Sequence, residues 1–267
     1  KEVDSVDAGL GGRVEKRVEK GVEKGVEKGV EKGALDVELL RDEFAGPEAA
    51  GSAKGNYRNT GDGPGSIDLT AALSRADARA VWRYMPRVVG SGARVWLRDS
   101  LLGGAASDAQ LTLKGDLAHF PFVDKTQGLF LVTVKASGVV LDYGRGWPRI
   151  EGIDGNLRFE GKGMVVHAQH GSILGTQLTN TLAEIADFDA ATPILTVKGK
   201  VDGPTSEFLR FIEQSPVGER IDHFTEGMRA QGNGHLDLGL LIPLDERKLA
   251  ESKIDGAYRL ANNEVVV

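Results

Sequence analysis

The chain has 267 residues, with 33 Lys and Arg set against 39 Asp and Glu for a formal charge of −6; its basic residues are scattered or held in one short repeat, which argues against a phosphate-binding nucleic-acid surface. It has no cysteine, which rules out disulfides, thiolate nucleophiles and Cys-ligated zinc. Glycine fills 36 positions, nearly twice the usual share of about 7%, a bias that helical enzymes rarely show.

In chain order, the first feature is a tetrapeptide repeat from Val14 to Gly33, one VEKR followed by four VEKG. Each glycine costs a helix roughly 1 kcal/mol and the valines are too sparse for a core, so the repeat reads as a salt-laced linker. Gly, Pro, Ala, Asn and Asp dominate from Glu43 to Gly63, which extends the expected flexible, low-complexity region over residues 1–65. No signal-peptide pattern stands at Lys1 and no apolar run reaches the roughly 18 residues of a membrane span. A start without Met and an ending in Val265, Val266 and Val267 read as the ends of a piece, the last an unfinished strand.

Order is expected from residue 66 to residue 267. Ile67 and Leu69 alternate with polar neighbours, and Ser74 then resembles an N-cap for a helix running through Tyr84, with Trp82, Tyr84 and Met85 buried. Pro86 ends it. A second short helix is expected from Gly92 to Leu101, followed by a break at Gly103 and Gly104.

From Ala109 the apolar period becomes two, the mark of strands with one dry and one wet face. Ile153, Gly155, Leu157 and Phe159 alternate with Asp154, Asn156, Arg158 and Glu160. The same pattern recurs at Leu111 and Leu113, at Met164, Val166 and Ala168, at Leu195, Val197 and Val201, at Leu236, Leu238 and Leu240, and at Ile254, Tyr258 and Leu260. The fold class is therefore mainly β: a long antiparallel meander with a few short helices, its turns expected at Glu160 to Gly163 and at Gln169 to Gly171. One helical hairpin near residues 205–229 interrupts it. Thr205 or Ser206 caps Phe208, Leu209, Phe211 and Ile212; Ser215 and Pro216 then open a second helix over Val217 to Met228, whose apolar spacing suggests a lid or plug on the sheet.

Chemistry-bearing patterns are missing. The five histidines, His119, His167, His170, His223 and His235, form no metal spacing, and the close pair His167 and His170 points to opposite faces of a strand. The Gly-x-Gly fragments lack the strand, loop and helix of a phosphate site, and Ser172 lacks the context of a nucleophile elbow. The reading assigns no catalytic residue, no metal and no cofactor.

The segment WLRDSLLGGAASDAQLTLKGDLAHFPF, from Trp96 to Phe122, resembles the YhdP branch of the AsmA-like family. So do Gly128 to Phe130, Leu141 to Tyr143, Gly146 to Ile150, Asn156 to Gly161, Phe208 to Pro216, Gly234 to Leu238, and Ile242 to Leu244. The resemblance spans roughly Ser66 to Val267; the VEKG repeat departs from it and looks like an insertion. It implies an elongated, twisted antiparallel sheet forming an open, taco-like groove in the bacterial periplasm, anchored in the inner membrane through a segment outside this chain. The implied function is conduction of phospholipid between inner and outer membrane. The implied partners are phospholipid acyl chains, and the two membranes through regions outside this chain, with no nucleic acid; oligomeric state is left open.

The expected groove lining is Leu111, Leu113, Phe130, Val132, Leu157, Phe159, Met164, Val166, Leu195, Val197, Leu236, Leu238 and Leu240. An apolar sheet face needs either a protein layer or bound chains over it, and Gly155, Ala168 and Gly199 are expected to leave room for the latter. The alternatives are a packed β-scaffold, or an outer-membrane protein assembly factor pairing client strands. An envelope hydrolase is the enzyme alternative.

Overall fold

The computed structural model describes residues 3–8, 12–17, 35–85 and 90–266. Among the described residues, thirteen strands follow one another in sequence order within one antiparallel sheet, which stays open because its first and last strands are not neighbours. They are β1 (Val3–Ala8), β2 (Gly12–Arg17), β3 (Leu35–Ala45), β4 (Ala49–Asn59), β5 (Ser66–Asp77), β6 (Leu101–Asp116), β7 (Gly128–Leu141), β8 (Ile150–Glu160), β9 (Gly163–Ile173), β10 (Thr176–Ile185), β11 (Ile194–Pro204), β12 (Arg229–Pro243) and β13 (Lys253–Val266). Three α-helices interrupt the meander: α1 (Ser91–Ser100), α2 (Thr205–Glu213) and α3 (Pro216–Arg220). The expected class, mainly β with a few short helices, is the class found.

Two compact units partition the chain. The first holds residues 1–76, 107–134 and 158–162; the second holds residues 77–106, 135–157 and 163–267.

Several local expectations shift. Residues expected to be linker form β3 and β4, paired from Leu35↔Asn59 to Ala45↔Ala50. Here Leu35, Val37 and Leu39 alternate with Asp36 and Glu38, a strand signal hidden beside the low-complexity repeat. Of that repeat, residues 14–17 lie in β2, and residues 18–33 fall outside the described ones.

Ser74 is no helix cap. It lies within β5 and donates to the Ala50 carbonyl at 3.2 Å, because β5 keeps its ladder with β4 as far as Ala76↔Ala49. Asp77 caps instead, accepting from the Arg79 amide at 2.9 Å, and opens a 3-10 helix over Ala78–Tyr84. Its buried residues are Ala78 and Ala80, while Tyr84 is 46% exposed and Trp82 half-buried.

α1 stands within a residue of its expected place, but Gly103 and Gly104 do not break the chain: β6 runs through them. Gln169 to Gly171 likewise lies inside β9, and the turn comes later at Leu174 and Gly175, both left-handed at φ 47° and 83°. Ser215 caps α3 with Pro216 at its first turn, as expected. That helix ends at Arg220 instead of reaching Met228, because Asp222 and His223 adopt φ of 51° and 55°, and Phe224 is left 74% exposed.

Candidate functional site

In the second unit, strand register aligns apolar residues row by row, since directly opposed residues in an antiparallel ladder share a face. Leu195 pairs with Ile185 and Ile242; Val197 with Ala183 and Leu240; Val201 with Leu178 and Leu236. β13 extends these rows through Ile254↔Leu240, Gly256↔Leu238 and Tyr258↔Leu236, and β9 adds Met164↔Ile185 and Val166↔Ala183. Leu157 joins them from β8, since two residues before it Gly155 lies against the Ala168 backbone. The charged residues of β11 and β12 between these rows, Lys198, Lys200, Asp202 and Asp237, alternate onto the opposite face with His235.

In the first unit, the Lys114 to Asp68 bridge at 2.7 Å and the Leu117 amide to Gly65 carbonyl bond at 2.9 Å align β6 with β5. This register sets Leu113 beside Leu69 and Leu111 beside Ala71. Gly115 lies against Gly128, so Leu113 and Leu111 neighbour Phe130 and Val132 on β7. The Gly161 amide donates to the Phe130 carbonyl at 3.1 Å, which brings Phe159 beside Val132. Where the small residues Ala53 and Ala71 meet Leu111, a shallow cavity of about 280 Å³ opens.

All the expected lining residues therefore lie on apolar faces, and all are half-buried. Among the described residues no large side chain is completely buried, and the buried hydrophobics are few and mostly alanine, with Phe122, Ile185 and Val201 the largest. A closed sandwich would seal such rows into a core; here the row residues stay half-exposed.

Each face is nonetheless closed at one end. In the first unit Phe122, 3% exposed, lays its ring where side chains on Gly115 and Gly128 would otherwise stand. Phe120 adds an edge contact to it at 6.0 Å and a tilted one to Phe130 at 5.3 Å. In the second unit α2 lies on β12 and β11. Phe208 meets Tyr258 edge-on at 4.9 Å, and the Tyr258 hydroxyl, seated over Gly234, donates to Thr205 at 3.1 Å. Thr205 donates to Asn263, which itself donates to the Asn233 carbonyl at 2.7 Å. Phe211 carries the cover to Trp147 at 6.0 Å, and Trp147 continues to Tyr143 at 5.9 Å. Burial, and then the Asp142 charge, push the Tyr143 phenol up to about 12, so it is neutral at physiological pH.

Expected room is taken at two of three places. Gly199 is filled over by the Thr181 side chain, and Gly155 closes against the β9 backbone. The Thr181 hydroxyl is buried without a hydrogen-bond partner. Sequence reasoning also missed Leu178, Ile185, Ile242 and Phe122. In β10 the register shifts between Thr179 and Leu182, around Asn180 at φ 46°. The bulge puts Leu182 on the outer face, 37% exposed, and scrambles the period-two pattern that would have revealed this strand.

On the wet face His235 lies between two carboxylates, 2.6 Å from Asp202 and 3.3 Å from Asp237, with Arg259 bound to Asp237 at 2.7 Å. The bond to Asp202 chiefly, helped by Asp237, holds the imidazole above the usual histidine range. This group joins β11, β12 and β13 outside the apolar rows. His167 and His170 are exposed, and among the described residues no group of three or more His, Asp or Glu is arranged to hold a metal.

The geometry defines an open-faced antiparallel β protein, one face of each unit apolar and capped at one end. The chain belongs to the YhdP family: the family model described as YhdP protein matches residues 27–267. Over 202 residues it is 24% identical to the protein named "Intermembrane phospholipid transporter YhdP" of Escherichia coli (strain K12), covering 75% of this chain and 16% of that relative. The chain thus spans about a sixth of the length of this curated relative. No solved structure matches. Among the described residues no helix is long and apolar enough to cross a membrane.

Proposed function

We propose that this chain is one segment of a periplasmic bridge that conducts phospholipid between the inner and outer membranes, with acyl chains lying on its apolar faces and no chemical step performed. Anchoring in the inner membrane and contact with both membranes belong to regions outside this chain. The lining is the expected set: Leu111, Leu113, Phe130, Val132 and Phe159 in the first unit, and Leu157, Met164, Val166, Leu195, Val197, Leu236, Leu238 and Leu240 in the second.

The observation that carries this reading is the apolar face of β11 and β12 in the second unit, whose row residues stay half-exposed while the charged residues of these two strands lie on the other face. Leaving such a face to water is costly, and each methylene of an acyl chain laid on it gains about 0.8 kcal/mol. The relative that transports phospholipid between membranes supports the same cargo.

The test is native mass spectrometry with lipid extraction, comparing wild type with Leu157→Glu plus Leu238→Glu. Both residues are half-buried, so the double variant is expected to fold, and copurifying phospholipid to fall by about tenfold or more, two carboxylates set on the apolar face being incompatible with a dry chain. A folded wild type that carries no lipid would sink the proposal and leave a packed scaffold.

A further inference from the structure

A second cavity, of about 580 Å³, lies wholly within the second unit, where the connection after β7, the β9–β10 turn and α2 converge. Unlike the apolar rows, its lining includes charged side chains. Arg149 and Arg210 contribute two guanidinium groups, Glu151 one carboxylate, Gln214 an amide, and Trp147 and Leu174 the apolar wall. Arg149 gives its Nε to Asp142 at 3.0 Å, and Arg210 gives one Nη to Glu207 at 3.4 Å, at the limit of a hydrogen bond. Both side chains are half-exposed, at 56% and 52%, and a guanidinium has five N–H donors, so each keeps donors for a ligand.

The balance of charge selects the ligand. Two arginines in fork geometry suit phosphate oxygens. Counting Glu151 with the pairing partners Asp142 and Glu207, however, three carboxylates surround two cations. A ligand with net negative charge gains little there, whereas one that carries a phosphate and an ammonium together is matched at both ends. Trp147, in tilted contact with Phe211, adds an indole ring to the lining, of the kind that attracts an ammonium. Its amphipathic indole also suits a boundary with a wet and a dry side. α2, which supplies Arg210 and is followed directly by Gln214, is the same helix that covers one end of the apolar face.

We infer that this cavity seats a phosphodiester bearing a primary amine, the headgroup of a zwitterionic phospholipid, with phosphate toward Arg149 and Arg210 and ammonium toward Glu151 and Trp147. The inference rests on the lipid-carrying reading above. It adds a place where that reading alone has none: a headgroup station beside the covered end of the face.

The experiment uses the whole chain as wild type, as Arg149→Gln with Arg210→Gln, and as Glu151→Gln. Each is mixed with an equimolar set of phosphatidylethanolamine, phosphatidylglycerol and diacylglycerol of identical acyl chains, and bound lipid is read by native mass spectrometry. Circular dichroism and thermal melting certify the fold. Wild type is expected to prefer phosphatidylethanolamine, and the double arginine variant to lose that preference by about tenfold, the worth of one charge-assisted hydrogen bond, while binding diacylglycerol as before. Glu151→Gln is expected to move the choice toward phosphatidylglycerol, and it tests the site independently should the double variant not fold. If neither set of changes alters headgroup choice while wild type still binds diacylglycerol, the headgroup station is wrong and the apolar face stands. If wild type binds none of the three, both readings fall. A further arm uses glycerophosphoethanolamine, which has the headgroup and no chains; arginine-dependent binding of it as tight as that of the lipid would assign the cavity to a free phosphodiester instead.

Discussion

The two units end their apolar faces by different means. The first uses one ring: Phe122, from the connection between β6 and β7, fits over Gly115 and Gly128. The second uses a helix, with α2 leaning Phe208 on Tyr258 and Phe211 on Trp147, and threads the contact with hydrogen bonds through Thr205 and Asn263. Glycine inside a strand normally weakens it. Here the glycines under Phe122 and under the Tyr258 hydroxyl are seats, each flat enough for another group to occupy the side-chain position. The difference is in how much each closure supports: the ring serves one spot, whereas the helix fastens three strands and borders the charged cavity.

The largest expected effect breaks the simpler closure. Gly115→Val puts a side chain where Phe122, the Gln127 carbonyl and the Gly128 backbone already stand, at φ 132°. It should cost about 3 kcal/mol or more in urea unfolding. Hydrogen exchange is expected to accelerate in β6 and β7 and stay unchanged in β11 and β12; acceleration in all four alike would show the units to be one cooperative body. A middle-sized effect compares closed with open rows. Val201→Ala, at a site 8% exposed, should cost about 2 kcal/mol, and Leu240→Ala, which removes more atoms from a half-buried site, under about 1 kcal/mol. Equal losses at the two sites would mean that protein covers Leu240 as fully as Val201.

The smallest effect concerns the wet face. His235 has its pKa raised in the folded state by Asp202 and Asp237. Its ion pairing therefore contributes fully below the ordinary histidine value of about 6.5, and fades as pH rises through the raised folded value. The thermal midpoint gap between wild type and His235→Gln should be wider at pH 5.5 than at pH 8.5, and the imidazole should titrate above the free amino acid by NMR. A gap independent of pH would remove the charge from the account.

Much of this was legible in the sequence because it rests on local period. The alternation Ile153, Gly155, Leu157 and Phe159, and that of Leu236, Leu238 and Leu240, announce one dry face whatever the neighbours do. What escaped is set by tertiary contact or by a single dihedral. Asn180 shifts the phase of β10, so Leu178 and Ile185 join a face that period-two counting denies them. Asp222 and His223 stop α3 although Ile221, Phe224 and Met228 keep helical spacing. β3 and β4 were obscured by composition: Ala49 to Asn59 holds small residues that read as loop until β3 and β5 flank it. Phe122 gave no periodic signal, since its role depends on two glycines brought together across a hairpin. The charged cavity draws on separate stretches of chain, around Trp147 to Glu151, at Leu174 and at Arg210, and has no signature along the sequence.

The near-uniformity of the large apolar residues that β11 and β12 give to these rows has a kinetic consequence. Leu195, Val197, Leu236, Leu238, Leu240 and Ile242 differ from one another by at most a single methylene, a step of about 0.8 kcal/mol, comparable with thermal energy. A hydrocarbon chain on such a surface meets a nearly level landscape, with no deep well to hold it and no high barrier to stop it. On the proposed lipid-carrying reading, its displacement would be one-dimensional diffusion limited by friction, and these rows would give it no preferred sense.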